Sequence, residues 1–279
     1  MNAKVSIVIT TYNRKKLLVR ALESVLNQTY RNIEVIITDD NSTDGTKEIV
    51  EKYMQSSAIP IIFRSNTKNM GACFTRNEGI KLATGHFYTG LDDDDEFCRN
   101  RIGNFVDNWH DSYSFLSSNI NVVDKSKCYK LYFGSKVLTE NNLYWYNFVG
   151  NQIFTLRKRV LDVSGFDVNL KSAQDLDLWI RLLRKFGPGY RLKEGTYNLY
   201  IDHDLPRITT SNSKIEGLNY FYEKHKKYMN RNQKDMYLLK ISYWNNNLKA
   251  KASFIKFVSF ESVYYLFSIV IMKLYRYVN

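Results

Sequence analysis

Cysteine is scarce in this sequence: Cys73, Cys98 and Cys128 are widely spaced, odd in number and form no C-x-x-C pair. That argues against a disulfide framework or a zinc site and fits a reduced, cytoplasmic setting. Long apolar runs are missing as well. The stretch 254–272 is interrupted by Lys256 and Glu261, and the remaining run from Ser262 to Met272 is 11 residues, short of the roughly 20 that cross a bilayer. The chain enters a strand pattern at Val5 without a charged leader, a long apolar segment or a small-residue cleavage site, so a secreted protein is not expected. There is no internal repeat and no low-complexity linker. A Gly-rich or strongly basic phosphate cradle near the N-terminus is also absent. Thr10-Thr11-Tyr12-Asn13-Arg14 is a poor one, which counts against a nucleotidyltransferase.

What is present describes a globular protein. A chain of 279 residues, 44% apolar and 24% charged, can bury a full core as one large domain or as a domain with an appendage. The net charge of +12 is uneven: residues 205–279 carry 13 Lys and Arg against 4 Asp and Glu, a net of +9, leaving +3 for the rest. This basic tail is rich in tyrosine and phenylalanine. An anionic membrane surface and nucleic acid are both partners for such a tail. The charge is dispersed among Tyr, Phe and Asn without a recognition motif, so no nucleic acid is expected. The 254–272 segment reads as an interfacial amphipathic helix.

The first third alternates short apolar runs with amphipathic ones, the pattern of β-α-β units and a parallel sheet. Strands are predicted at 5–9, 33–37, 60–63 and 86–91, and helices at 15–27, 46–54 and 72–83. Leu17, Leu18, Ala21, Leu22, Val25 and Leu26 give the first helix a single apolar face. Further on, the patterning predicts a helix at 98–109, strands at 114–123, 151–156 and 197–201, and a helical segment from Asp175 to Leu183. Lys-rich helices follow from about residue 214.

Ligands of open α/β sheets collect at the carboxyl ends of the strands. Three polar clusters fall there: Thr10-Thr11-Tyr12-Asn13, Asp39-Asp40-Asn41-Ser42 and the tetrad Asp92-Asp93-Asp94-Asp95. Four adjacent carboxylates repel one another, and a divalent cation such as Mg²⁺ or Mn²⁺ is the partner that makes the cluster tolerable while leaving room for phosphate oxygens. A solvated acidic turn is the alternative.

Taken together, these motifs resemble family-2 inverting glycosyltransferases. The resemblance rests on Val5 to Arg14, Ser24 to Tyr30, Glu34 to Thr46, Asn69-Met70-Gly71 through Arg76-Asn77, the tetrad, and Gly165-Phe166-Asp167 followed by Asp175 to Trp179. It covers roughly residues 4–205, and its particular likeness is to bacterial O-antigen β-1,3-glucosyltransferases. It implies a GT-A fold: a Rossmann-like, mostly parallel α/β sheet with helices on both faces, here over residues 1–212. A helical, membrane-proximal extension would follow over 213–279. It also implies a UDP-sugar donor, Mn²⁺ or Mg²⁺, and an acceptor sugar carried on undecaprenyl diphosphate at the inner face of the bacterial inner membrane.

By the same resemblance Asp94 would bind the metal, with Asp92 facing the donor ribose or the metal's water shell. Asp93 would lie at the donor or be solvated, and Asp95 would hold the loop. Thr10, Tyr12, Asp40 and Arg76 would form the nucleotide pocket, Asp40 accepting the uracil N–H, and Asp39 would cap its own loop. Asp175 matches the catalytic base, with Gln174 replacing the family's glutamate beside it. Asp177 is the alternative base. His203 is a further candidate near the metal, and Arg207 one for a donor phosphate. Trp179 is expected in the core. Tyr144, Trp145 and Tyr146 are candidates for acceptor stacking.

Overall fold

The computed structural model describes residues 2–125, 127–131, 134–201 and 211–245. His203, Arg207 and the 254–272 segment lie outside the described residues. Considering the described residues alone, Met1–Glu140, Val149–Val168 and Asp175–Pro206 bound one compact unit. Asn141–Phe148, Asn169–Gln174 and the described residues 211–245 form a second.

The first unit opens as the sequence predicts: β1 (Val5–Thr11), α1 (Lys15–Leu26), β2 (Ile33–Asp39), α2 (Thr46–Ser56), β3 (Ile61–Ser65), α3 (Ala72–Leu82) and β4 (Phe87–Asp92). These strands lie in the order β3-β2-β1-β4, all parallel. β1 is buried on both faces, as a strand covered by crossover helices must be. Val5, Ile7 and Ile9 pack with Leu18, Leu22 and Val25 of α1 in one core cluster. Asp44 ties the two helix starts together: its Oδ2 accepts the Lys15 N–H (2.8 Å) and its Oδ1 the Thr46 N–H (3.2 Å) and hydroxyl (2.6 Å).

Beyond β4 the order continues β9-β6-β10-β5, with β7 on β6 and β8 on β10. Here β5 is Glu96–Phe97, β6 Leu116–Asp124, β7 Lys127–Leu131, β8 Lys136–Leu138, β9 Phe154–Leu156 and β10 Gly189–Tyr200. Among the described residues of this half only β6 with β10 is parallel. The helices are α4 (Arg101–Asp107), α5 (Glu140–Trp145, all but its first residue in the second unit), α6 (Arg157–Asp162) and α7 (Gln174–Phe186).

Two of three differences from the sequence expectation, those at α4 and β10, have local causes. α4 begins at Arg101 rather than 98 because the chain up to Cys98 is held extended along β10, through the β5 pairing and the bond from the Cys98 N–H to the Thr196 carbonyl (3.0 Å). β9 begins only at Phe154. β10 is twelve residues long, yet two register shifts, between Leu192 and Gly195 and between Gly195 and Tyr197, break the period-two pattern that would have shown its full length. Trp179 is fully buried in the core, as expected.

The second unit contains α8 (Ser211–His225), a 3₁₀ turn (Lys226–Tyr228) and α9 (Arg231–Trp244). Asn230 and Gln233 form a reciprocal capping box at the start of α9, both bonds 2.9 Å. Phe221 and Tyr237 stack at 5.3 Å between α8 and α9. Tyr144 belongs to this unit, where it is 1% exposed and lies 6.1 Å from the His225 ring. Packing accounts for it. Among the described residues no helix is long and apolar enough to cross a membrane.

Candidate active site

The parallel register places the polar clusters side by side. Thr10 of β1 lies opposite Thr38 of β2 and Asp92 of β4, and Thr11 lies opposite Asp39. The Thr10 and Thr38 hydroxyls are 3.1 Å apart. Asp39 holds its loop as expected, accepting the Ser42 N–H (3.0 Å), the Ser65 hydroxyl (2.7 Å) and the Ser42 hydroxyl.

Asp40 shares that kind of duty. Its carboxylate accepts the Met70 and Gly71 N–H groups at 2.7 and 2.8 Å and the Asn66 amide at 2.9 Å. These bonds fix the loop at the start of α3, the helix that carries Arg76. Gly71, at φ +86°, supplies the left-handed backbone required there. Tyr12 follows β1 and is 39% exposed, leaving its ring face open.

The tetrad divides by direction. Asp93 and Asp95 are 5% and 1% exposed, whereas the side chains of Asp92 and Asp94 are each 21% exposed. Asp93 is therefore not solvated: it accepts the Thr11 hydroxyl (2.8 Å) and Arg14 Nη1 (3.1 Å). This corrects one of the two expectations for it, and its inward bonds point away from a donor contact. Asp95 anchors the loop to β10, accepting the Tyr197 hydroxyl (2.7 Å) and the Tyr200 N–H (2.9 Å). Arg14 Nη1 reaches Asp94 Oδ2 as well (2.9 Å), and Arg20 donates to the Asp94 carbonyl.

Asp92 accepts Arg76 Nη2 and Gln152 Nε2, both at 3.0 Å. Gly90 makes the second bond possible: a Cβ at that position would stand 2.2 Å from Gln152 Oε1. Arg76 lies over the Phe166 ring at 5.4 Å, and its Nη1 is 3.9 Å from Asp175 Oδ1. Among the described residues these two buried atoms have no hydrogen-bond partner. An ion pair too long to be a hydrogen bond leaves an acceptor and a donor facing each other.

The electrostatics follow from this crowding. Burial pushes Asp175 up to about 6, with the Asp92 charge adding and Arg76 opposing. Burial likewise takes Asp93 up to about 6 against the pull of Arg14 and Thr11. It also carries Asp95 well above the carboxylate range, with Asp92 and Asp94 adding to the effect. Burial alone would lower Arg76, but Asp175 and Asp92 outweigh it and hold the guanidinium firmly protonated. Asp177 is buried and paired with Arg181 at 2.7 Å. Arg181 in turn donates to the Val163 and Gly165 carbonyls. That arrangement makes Asp177 a loop anchor rather than a base.

No group of three His, Cys, Asp or Glu side chains that could hold a metal occurs among the described residues. Asp92 and Asp94 are the carboxylates facing outward, close enough for Asp94 to raise the Asp92 pKa. Such an all-oxygen pair fits Mg²⁺ or Mn²⁺, ions that take the balance of their ligands from water and phosphate oxygens.

Arg76 thus stands between Asp92 and Asp175, Arg14 joins Asp93 to Asp94, and Thr10 bonds Thr38 and lies opposite Asp92 in the register. The sequence reading missed Arg14, Gln152 and Tyr197 as partners of the tetrad. Gly90, in the middle of a buried strand, was the available signal for Gln152. Nothing in the spacing marked the other two.

A largely parallel sheet with acids at two neighbouring strand ends, Asp39-Asp40 and Asp92 to Asp95, and a facing carboxylate, Asp175, has the architecture of the GT-A class. Residues 6–161 match the model of Glycosyl transferase family 2, and the chain belongs to that family. It is 36% identical over 241 residues to the putative colanic acid biosynthesis glycosyl transferase WcaA of Escherichia coli K12, covering 84% of this chain and 85% of that protein. Two relatives are glucosyltransferases by name. One is the GalNAc(5)-diNAcBac-PP-undecaprenol beta-1,3-glucosyltransferase of Campylobacter jejuni, 25% identical over 65% of this chain and 60% of that protein. The other is the UDP-Glc:alpha-D-GlcNAc-diphosphoundecaprenol beta-1,3-glucosyltransferase WfaP of Escherichia coli, 42% identical over 37% and 39%. The chain therefore spans less than two thirds of either glucosyltransferase. The crystal structure of S. aureus TarS 1-349 in complex with UDP-GlcNAc shares the fold, with a TM-score of 0.67, 20% identity, and coverage of 92% of this chain and 77% of that one.

Proposed function

We propose that this chain is an inverting, metal-dependent transferase that moves glucose from a UDP-sugar to a sugar carried on undecaprenyl diphosphate. The acceptor would be N-acetylglucosamine-diphosphate-undecaprenol, the linkage β-1,3, and the setting bacterial surface-polysaccharide synthesis at the inner face of the membrane. The two glucosyltransferase relatives support the choice of donor and acceptor. The observation that carries the reading is the buried, unbonded Oδ1 of Asp175 facing the unbonded Nη1 of Arg76, with Asp92 on the other side of that guanidinium.

Inversion by direct displacement needs one carboxylate to take the acceptor's proton as its oxygen attacks the anomeric carbon. Asp175 Oδ1 is an acceptor with nothing bound to it, on a group whose pKa near 6 leaves it ionised at neutral pH. Asp177 cannot compete, because Arg181 already holds its charge. Arg76 keeps Asp92 and Asp175 at a fixed separation and offers a free N–H to an incoming oxygen. Thr10 and Asp40 border the nucleotide pocket, and the exposed Tyr12 ring offers a stacking face for the base. Asp94 and Asp92 would hold Mn²⁺ or Mg²⁺, which supplies charge stabilisation to the departing diphosphate.

The test is UDP release and product analysis with a panel of nucleotide sugars and a synthetic N-acetylglucosamine-diphosphate lipid, with and without Mn²⁺. UDP-glucose should give the fastest turnover and a β-linked disaccharide, and chelation should stop it. Release of UDP from none of the donors would sink the proposal, and a faster UDP-galactose or UDP-N-acetylhexosamine would correct the sugar.

A further inference from the structure

We infer that Asp93 is the counter-charge of Arg14, present so that Arg14 can orient Asp94 without repelling a cation bound there. The inference deepens the metal-dependent reading above and rests on it.

A single nitrogen, Arg14 Nη1, donates to Asp93 Oδ1 at 3.1 Å and to Asp94 Oδ2 at 2.9 Å. The Arg14 and Asp93 side chains are 8% and 7% exposed, against 21% for Asp94. The other oxygen of Asp93 takes the Thr11 hydroxyl at 2.8 Å. Both of its oxygens are therefore engaged within the protein, and Asp93 is poorly placed to touch donor or metal. Among the described residues its one charged partner is Arg14.

Arg14 acts on Asp94 in two ways. By hydrogen bonding to one oxygen it fixes the plane of the carboxylate, and such outer partners commonly carry much of a metal site's affinity. As a buried positive charge beside that carboxylate, it would also oppose a divalent cation, and the opposition is strong because solvent screens it little. Asp93 cancels the second effect and leaves the first. Thr11, the last residue of β1, keeps Asp93 directed at Arg14 rather than at the cleft. The middle position of the Asp92-x-Asp94 pattern is thus a positioning residue, acting through Arg14.

The full-length protein decides this by Mn²⁺ titration at saturating UDP, reading free Mn²⁺ by electron paramagnetic resonance and folding by thermal melt. Asp93→Asn removes this counter-charge from Arg14 and should weaken Mn²⁺ binding about tenfold or more. Adding Arg14→Gln, which removes the charge but keeps an N–H donor, should recover most of that loss. Unchanged Mn²⁺ affinity in Asp93→Asn overturns the inference. So does a double variant as weak as the single one, since that would make Asp93 a direct contact. If Asp93→Asn does not fold, the double variant decides alone: replacing both members of a buried pair is tolerated where breaking one is not. Binding by the double variant at about a tenth of the natural affinity or less would then overturn the inference. Failure of the natural protein to bind Mn²⁺ with UDP would instead bring down the metal-dependent reading, and this inference with it.

Discussion

Asp175 combines two properties that normally exclude each other: its Oδ1 is buried, and that oxygen has no hydrogen-bond partner among the described residues, although the side chain as a whole is part-exposed. A folded-state pKa of about 6 against an unfolded value of 3.8 means that the folded protein takes up this proton first as pH falls. The ionised group therefore costs stability above pH ~6, and the cost is relieved as pH drops toward 4. Two outcomes follow at this scale. Asp175→Asn should reduce transfer by about 10²-fold or more while UDP affinity, measured calorimetrically, stays within a few-fold. Its melting temperature at pH 7.5 should not fall, and should rise if the desolvation cost of about 1–3 kcal/mol is released. A variant that turns over normally would move the base elsewhere. In the natural enzyme, log kcat/KM against pH should fall with unit slope below about pH 6, and a flat profile down to pH 5 would refute the assignment.

At the scale of elements, the site depends on how α1 and α2 are launched. Both helices begin at the carboxyl ends of strands, and a single carboxylate, Asp44, caps both starts. Hydrogen bonds from Lys15 and Thr46 also hold its pKa down against burial. Asp44→Ala removes two caps at once and should cost about 1–3 kcal/mol, read as a lowered denaturant midpoint with an unchanged slope. A loss below about 0.5 kcal/mol would show that solvent replaces the cap. The effect should reach the site, because Asn13, between β1 and α1, receives the Thr43 N–H at 2.8 Å and donates its own N–H to Ser42 at 2.7 Å. β10 couples differently: Tyr197 and Tyr200 clamp Asp95, so the far half of the sheet sets where the acidic loop lies.

For the whole molecule, charge placement predicts how stability changes with acid. Glu34 is 2% exposed at the opposite end of the sheet. Burial works to raise its pKa, but Lys4, Ser6 and Thr84 outweigh this and bring it to about 2, against 4.5 unfolded. Its contribution is complete above pH 4.5 and is lost between 4.5 and 2, up to about 3 kcal/mol. Glu34→Gln should therefore melt lower at pH 7, and the gap should close by pH 2–3; a gap independent of pH would contradict the charge argument. For the tail, the expected effect is on location rather than stability. Its net charge of +9 over residues 205–279 should draw the protein to anionic vesicles at about 1 kcal/mol per lysine near the surface. Truncation after residue 250 should then abolish sedimentation with such vesicles before it alters UDP binding. Unchanged sedimentation would count against a membrane role.

The amino-acid sequence alone determined the β-α-β frame, because apolar spacing over β1 to β4 records which faces must leave water, and that pattern is local. It also carried the family, since polar clusters at successive strand ends are contiguous in the chain. Tertiary structure alone decided how the tetrad divides. Asp92, Asp93, Asp94 and Asp95 are chemically identical, and only the positions of Arg14, Tyr197 and Gln152, distant in sequence, turn two of them inward and leave two outward. The same holds for Asp175, whose pKa burial and the Asp92 charge raise against Arg76, and whose Oδ1 stands 3.9 Å from Arg76 without a hydrogen bond. Desolvation and charge depend on what folding brings within a few ångströms, and no spacing along the chain encodes that.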